Sequence, residues 1–239
     1  MENILLLHGA LGSAAMLEQL KQALQESFMV YTFDFSGHGG KPLLQAHFTM
    51  EQLAQEVLVF LDEHQIRDTH IFGYSMGGYA ALSMALQHPA RIRSIFTLAT
   101  KFAWSAEAAE KETSLLSPDK IEEKVPQFAA TLAQRHAPQD WKQLVRATAR
   151  LMLQLGQHPI LTAETLPQIQ LPVQVAVGDR DNMVTTEETR WAYCLLPNAR
   201  LQVMPGTRHP FETLSAQDIS IHIRQFIFHV AVNSTVIKE

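Results

Sequence analysis

A serine in a glycine-rich stretch is the residue in this sequence best suited to nucleophilic chemistry. Residues 73–77 read Gly-Tyr-Ser-Met-Gly and lie between an apolar run and an Ala-rich run. This pattern predicts a strand, a sharp turn and a helix, with the Ser75 hydroxyl exposed at the edge of a sheet. The backbone of such a turn approaches itself closely, which the small residues Gly73 and Gly77 allow. Taken alone, the pattern is also compatible with an ordinary glycine-rich turn before a helix.

Three further motifs follow predicted strands and carry groups that could assist a serine. Their sequences are His-Gly-Ala-Leu-Gly at residues 8–12, Gly-Asp-Arg-Asp at 178–181 and Gly-Thr-Arg-His at 206–209. A serine hydroxyl is a poor nucleophile unless a base lies within hydrogen-bond reach. Histidine can supply that base, and a carboxylate can orient the imidazole and stabilise its protonated form.

The elements that must position these motifs alternate between strand and helix patterns. Continuous apolar runs predict strands that are buried on both faces, and apolar residues at helical spacing predict the helices between them. The predicted strands are 4–7, 28–33, 69–72, 92–98, 171–177 and 201–204. The predicted helices are 16–24, one capped by Thr49, 76–88, 140–155, one capped by Thr185, and 215–230. This order predicts the α/β class, with a mostly parallel sheet and helices on both faces.

The alternation stops between residues 101 and 170, where we find helix patterns and no convincing strand. We predict a core formed by residues 1–100 and 171–239, with 101–170 inserted as a helical cap over the C-terminal edge of the sheet. Open α/β sheets bind ligands at that edge. Within the cap, Gly156 is predicted to end the clearest helix, 140–155.

Composition narrows the possible classes. The chain has 239 residues, of which 46% are hydrophobic and 18% charged, with a formal net charge of -5. These values exclude global disorder and argue against nucleic-acid binding. The single cysteine, Cys194, excludes an intramolecular disulfide and a cysteine-based zinc site, and we expect it to be buried. We find neither a secretory signal nor a stretch of about 20 apolar residues, so we expect a cytoplasmic protein that does not contact membranes.

The four motifs, in the order nucleophile, acid and histidine, resemble those of the α/β-hydrolase superfamily along nearly the whole chain. Within it, the sequence is similar to small, cofactor-free, helical-capped esterases and lyases. Examples are the carboxylesterase of biotin synthesis and the pyruvate-eliminating synthase of menaquinone synthesis. The resemblance implies Ser75 as nucleophile, His209 as base and Asp181 as acid. It also implies an oxyanion hole formed by the backbone N–H groups of Ala10 and Met76, with neither cofactor nor metal.

Alternatives exist for two of these roles. The chain has 11 histidines, and His8 and His38 are the nearest competitors of His209 as the base. Asp179 competes with Asp181, although we expect Asp179 to serve a turn or an ion pair with Arg180 instead. The loop after residue 8 could suggest phosphate binding, but it lacks the Lys-[Ser/Thr] of a P-loop.

The sequence indicates less about the substrate than about the catalytic residues. Serine rather than aspartate at the turn argues against dehalogenases and epoxide hydrolases and fits esters, thioesters and lactones. Leu11, Phe102, Trp104 and Phe211 lie near the predicted edge and could form an apolar acyl pocket, although for any single one of them we expect core or cap packing. A lyase or carbon–carbon hydrolase with the same triad, or a ligand receptor with slow turnover, stays open as an alternative.

A basic stripe on the cap completes the candidate sites. Lys142, Arg146 and Arg150 are four residues apart and share one helix face. Such a stripe could bind an acidic carrier protein or an anionic substrate. We expect the plainer alternative, a solvated helix face, and a small-molecule substrate.

Overall fold

A single parallel sheet organises the chain. The structure is a computed structural model in which residues 1–43 and 48–236 are described. The strands are β1 (Glu2–Leu7), β2 (Phe28–Thr32), β3 (Thr69–Tyr74), β4 (Ile92–Leu98), β5 (Val173–Gly178) and β6 (Ala199–Met204). Their spatial order is β2-β1-β3-β4-β5-β6, and every neighbouring pair is parallel. The predicted α/β class is therefore confirmed.

Helices cover both faces of this sheet. They are α1 (Glu18–Leu24), α2 (Met50–Glu63), α3 (Met76–Gln87), α8 (Thr186–Leu195) and α9 (Ala216–Val236). Successive side chains of a strand point to opposite faces. Ile4 and Leu6 of β1 accordingly belong to the apolar cluster of α1 and α9, whereas Leu5 and Leu7 belong to that of α2, α3 and α8. None of the helices in the described part of the chain has the length and apolarity needed to cross a bilayer.

Helix starts are the features of local structure that the sequence predicted most closely. The Thr49 side chain accepts a hydrogen bond from the backbone of Gln52, whose side chain in turn accepts from the backbone of Thr49. Thr185 and Glu188 form the same reciprocal arrangement at the start of α8. Both capping boxes satisfy backbone donors that the first helical turn leaves without partners.

Four helices lie between β4 and β5. They are α4 (Ala106–Thr113), α5 (Pro118–Lys124), α6 (Pro126–His136) and α7 (Trp141–Gln157). The buried face of α7 includes Leu144, Leu151 and Leu155, which join the same apolar cluster as α2 and α3. This segment therefore packs over one part of the core. The division into a core and a cap at residues 101 and 170 stays a prediction.

Two predictions about single residues are wrong. Helix α7 does not end at Gly156 but continues to Gln157. A Cβ atom at Gly156 would lie 2.5 Å from the Ala109 Cβ and 2.8 Å from the Ser105 carbonyl oxygen, so glycine permits close packing of α7 on α4. Cys194 is exposed rather than buried, because the side of α8 on which it lies faces solvent.

Candidate active site

Ser75 occupies the sharp turn between β3 and α3. Its backbone φ is +51°, a left-handed conformation that non-glycine residues adopt only where the surrounding structure imposes it. A Cβ atom at Gly73 would lie 2.5 Å from the Gly78 nitrogen, and one at Gly77 would lie 2.6 Å from the Leu7 carbonyl oxygen. Larger residues at either position would force the turn open, so the two glycines are what allow Ser75 this conformation.

A buried hydrogen bond joins His209 to Asp181. The Nδ1–H of His209 donates to Asp181 Oδ2 at 2.8 Å, and the carboxylate is fully buried. The other oxygen, Oδ1, accepts from the backbone N–H groups of Met183 and Val184, both at 2.8 Å. Burial alone would raise the pKa of Asp181, but the His209 hydrogen bond, its charge and the two backbone donors together hold that pKa below its usual value. With Nδ1 donating, the neutral ring keeps Nε2 as a proton acceptor.

The alternative candidates for the base and the acid lie in other environments. His8 Nδ1 donates to the Gly9 carbonyl while its Nε2 accepts from the Phe35 backbone N–H. His38 is held in the same way, with Nε2 accepting from the backbone of Leu11. Burial lowers the pKa of both rings, so both stay neutral. Asp179 is exposed, and the structure brings Asp181 rather than Asp179 against the imidazole.

Tyr74, the residue before the serine, holds the His209 loop in place. Its hydroxyl donates to the His209 carbonyl oxygen at 2.7 Å. Its ring centroid lies 5.6 Å from that of His209 and 5.1 Å from that of Phe211. Burial raises the pKa of Tyr74, so the hydroxyl stays a donor throughout the physiological range. The strand that ends at the turn thus also fixes the backbone of the histidine.

The loop after β1 is clamped from two directions at Leu11, which has a φ of +57°. Its N–H donates to His38 Nε2 at 3.2 Å. Its carbonyl oxygen accepts from Arg135 Nη1 at 2.9 Å and from His136 Nε2 at 3.1 Å. Arg135 also binds Glu212 at 3.0 Å, three residues after His209. Helix α6 therefore ties together the loops that carry Ala10 and His209.

Ser75, His209, Ala10 and Met76 line one small cavity of about 50 Å³. The remainder of its wall is mainly apolar and comes from α2, α3, α4, α7 and the loops after β4 and β5: Met50, Tyr79, Lys101, Trp104, Glu112, Thr148, Leu151, Met152, Leu155, Met183 and Val184. Of the four residues predicted for an acyl pocket, only Trp104 lies in this wall. Phe211 packs against Tyr74, Phe102 borders a neighbouring cavity, and Leu11 is buried under α6.

One charged side chain of the wall, Lys101, is held by acidic neighbours. Its ammonium lies 3.4 Å from the Glu112 carboxylate and 3.9 Å from that of Glu188. It also donates to the Met183 carbonyl at 3.3 Å. Among the described residues, no group of three or more His, Cys, Asp and Glu side chains is arranged to hold a metal ion.

Comparison with known proteins establishes the family. Residues 2–140 match the sequence model of the family described as the alpha/beta hydrolase fold. The chain belongs to the α/β-hydrolase family. This α/β-hydrolase is 33% identical over 99 residues to a pimeloyl-[acyl-carrier protein] methyl ester esterase of Aeromonas hydrophila, covering 41% of this chain and 37% of that one. It is 28% identical over 184 residues to the 3-oxoadipate enol-lactonase 1 of Acinetobacter baylyi, covering 68% and 65%. The matches thus span less than two thirds of either relative.

Solved structures share the fold along almost the whole chain. A thermophilic esterase from Thermogutta terrifontis superimposes with a TM-score of 0.79 at 19% identity, covering 96% of this chain and 90% of that one. An enol-lactonase from Burkholderia xenovorans gives a TM-score of 0.79 at 20% identity, covering 95% and 91%. At these identities the likeness supports the fold of this α/β-hydrolase and not its substrate.

Proposed function

We propose that this α/β-hydrolase is a serine hydrolase that cleaves carboxylic esters of small acyl groups. The observation that carries the proposal is the buried hydrogen bond between Asp181 and His209, with His209 and the strained Ser75 lining one cavity. His209 Nε2 takes the proton of the Ser75 hydroxyl as the oxygen attacks the ester carbonyl. It then returns that proton to the leaving alcohol, and water releases the acyl group by the same route.

Negative charge develops on the substrate oxygen during both steps. The backbone N–H groups of Ala10 and Met76 are the proposed donors for this oxyanion, and both residues line the cavity. Met76 is the first residue of α3, where the helix dipole favours negative charge. Preorganised donors of this kind are worth about 10²–10³-fold each in rate. The contacts of Arg135 and His136 with Leu11 support this role, because they restrain the loop that carries Ala10.

The wall of the cavity supports a small, apolar acyl group. It is lined largely by methionine and aliphatic side chains, and its volume is about 50 Å³. An esterase and a lactonase among the relatives also favour an ester-type bond, with a thioester as a further candidate. In the basic stripe, Lys142 is paired with Glu122 at 2.7 Å, which favours a solvated helix face over a binding surface for an acidic carrier.

A panel of chromogenic esters tests the proposal. We expect p-nitrophenyl acetate and butanoate to be turned over with higher kcat/KM than the decanoate, because the cavity beside Ser75 is small. A rapid burst followed by steady turnover would indicate an acyl-enzyme that is hydrolysed. A burst without turnover would indicate a ligand receptor. Absence of hydrolysis of every ester, thioester and lactone in the panel would contradict the proposal.

A further inference from the structure

Two polar side chains in the wall of the cavity have no hydrogen-bond partner among the described residues. They are the Thr148 hydroxyl and the indole N–H of Trp104, and both atoms are buried. Thr148 as a whole has 0% exposure. Buried polar groups in native proteins nearly always have a partner, so an unpaired one is a candidate to bind a ligand or a water. Here both unpaired groups belong to residues that line the cavity in which Ser75 lies.

The behaviour of Thr148 is unusual for a threonine within a helix. A helical threonine can satisfy its hydroxyl by donating to the carbonyl four residues earlier. Thr113, Thr131 and Thr189 do so, at 2.8 to 3.0 Å. Thr148 does not, although it lies inside α7 between residues that are equally helical. Its hydroxyl is therefore unpaired among the described residues, in a side chain that lines the cavity.

The chemistry of these groups defines what they can bind. The indole N–H is a donor only, and a threonine hydroxyl can donate as well as accept. A ligand that satisfies both must therefore offer an acceptor oxygen. The nearby charges add a second restriction, because Lys101 (+1) lies between Glu112 (-1) and Glu188 (-1), leaving one net negative charge. An anionic acyl chain would be repelled, whereas a neutral ketone or ether oxygen would not.

We propose that the cavity is a subsite for an acyl chain that carries a neutral hydrogen-bond acceptor, a ketone or ether oxygen, bound by Thr148 and Trp104. This inference rests on the proposed ester hydrolysis and narrows its substrate class from alkyl esters to oxo- or alkoxy-acyl esters. Trp104 also borders the neighbouring cavity that Phe102 lines, so Thr148 is the primary contact and Trp104 the second.

The test compares p-nitrophenyl esters of hexanoic acid with those of hexanoic acids that carry a ketone at carbon 4 or carbon 5. A purely apolar pocket prefers hexanoate, because the ketone costs desolvation. The proposed subsite reverses this order, and we expect wild type to favour one oxo ester by roughly tenfold in kcat/KM. Thr148→Val keeps the shape and removes the hydroxyl, so it should abolish the preference, measured as the ratio of kcat/KM for the oxo ester to that for hexanoate. Thr131→Val, on α6 outside the cavity wall, is the matched control and should change neither rate.

The experiments distinguish failure of the proposed subsite from failure of the proposed ester hydrolysis. If wild type hydrolyses hexanoate faster than both oxo esters and Thr148→Val leaves the ratio unchanged, the subsite is wrong while ester hydrolysis stands. If no ester is hydrolysed, the proposed function fails, and calorimetry with hexanamide and its oxo analogues then decides the subsite. Equal affinities in wild type and Thr148→Val would overturn it. Should Thr148→Val not fold, Trp104→Phe provides the same comparison, with loss of the preference expected and an unchanged preference refuting the idea.

Discussion

Acid should destabilise this protein through His136, which is fully buried in α6. Its Nδ1 accepts from the Gly39 backbone N–H at 3.1 Å, and its Nε2 donates to the Leu11 carbonyl at 3.1 Å. Only the neutral ring can make both contacts, because protonation would place a hydrogen on Nδ1 against another N–H. Burial lowers the pKa of His136 from 6.5 to about 4, and the charge of Arg135 lowers it further, against the opposing effects of the Leu11 carbonyl and Asp34.

The size of the effect follows from the two pKa values. Since the folded-state pKa is lowered, the unfolded chain binds more protons, and the free energy of unfolding falls as the pH falls below 6.5 toward about 4. Between pH 7 and pH 5 the loss attributable to His136 is about 2 kcal/mol. His8 and His38 are also buried with lowered pKa values and add to the loss in wild type.

Urea unfolding at pH 7 and pH 5 measures this contribution. His136→Gln retains an amide donor for Leu11 and cannot titrate. It should be less stable than wild type at pH 7, because it loses the buried ring that binds both Leu11 and Gly39. Its stability should nevertheless fall by about 2 kcal/mol less between the two pH values. His158→Gln, at the exposed end of α7, is the control and should follow wild type. An identical pH dependence in wild type and His136→Gln would refute the assignment of His136 as a buried neutral group.

Two further predictions concern the acid and the packing of α4 on α7. Asp181→Asn should lower kcat by roughly 10³–10⁴-fold, because an amide cannot stabilise the protonated imidazole. Asp179→Asn, which alters an exposed residue, should cost no more than about tenfold. A larger loss for Asp179→Asn in a folded protein would reverse the assignment. Gly156→Ala should lower the free energy of unfolding by about 1–3 kcal/mol, measured by denaturation, because the new methyl group overlaps Ala109. Unchanged stability would show that the helices separate at little cost.

Local sequence patterns carried most of the fold. The strand Ile92–Leu98 was predicted with the bounds that the structure shows, because a short run that is mostly apolar and β-branched indicates a strand without tertiary information. The two capping boxes were found for the same reason. The turn at Ser75 could be predicted because its glycines avoid steric clashes that arise mostly within a few residues of the turn.

The sequence did not predict features that depend on contacts between distant residues. Arg135 and His136 meet Leu11 across 124 and 125 residues, and no local pattern marks them. Gly156 was predicted to end a helix because glycine commonly does so. Its actual role depends on contact with another helix, which the sequence does not show. The burial of Leu11 under α6 and the exposure of Cys194 on α8 likewise follow from packing rather than from composition.

Ser75 is the proposed site of the acyl-enzyme, and covalent labelling followed by peptide mass spectrometry identifies the residue that reacts. A fluorophosphonate should modify wild type once, on the peptide that contains Ser75. Ser75→Ala should remain unlabelled, keep the melting temperature of a folded protein, and hydrolyse p-nitrophenyl acetate about 10⁴-fold more slowly or worse. Ser114→Ala, an exposed serine at the end of α4, should be labelled and active like wild type. Labelling at another residue, or undiminished turnover in Ser75→Ala, would contradict the mechanism.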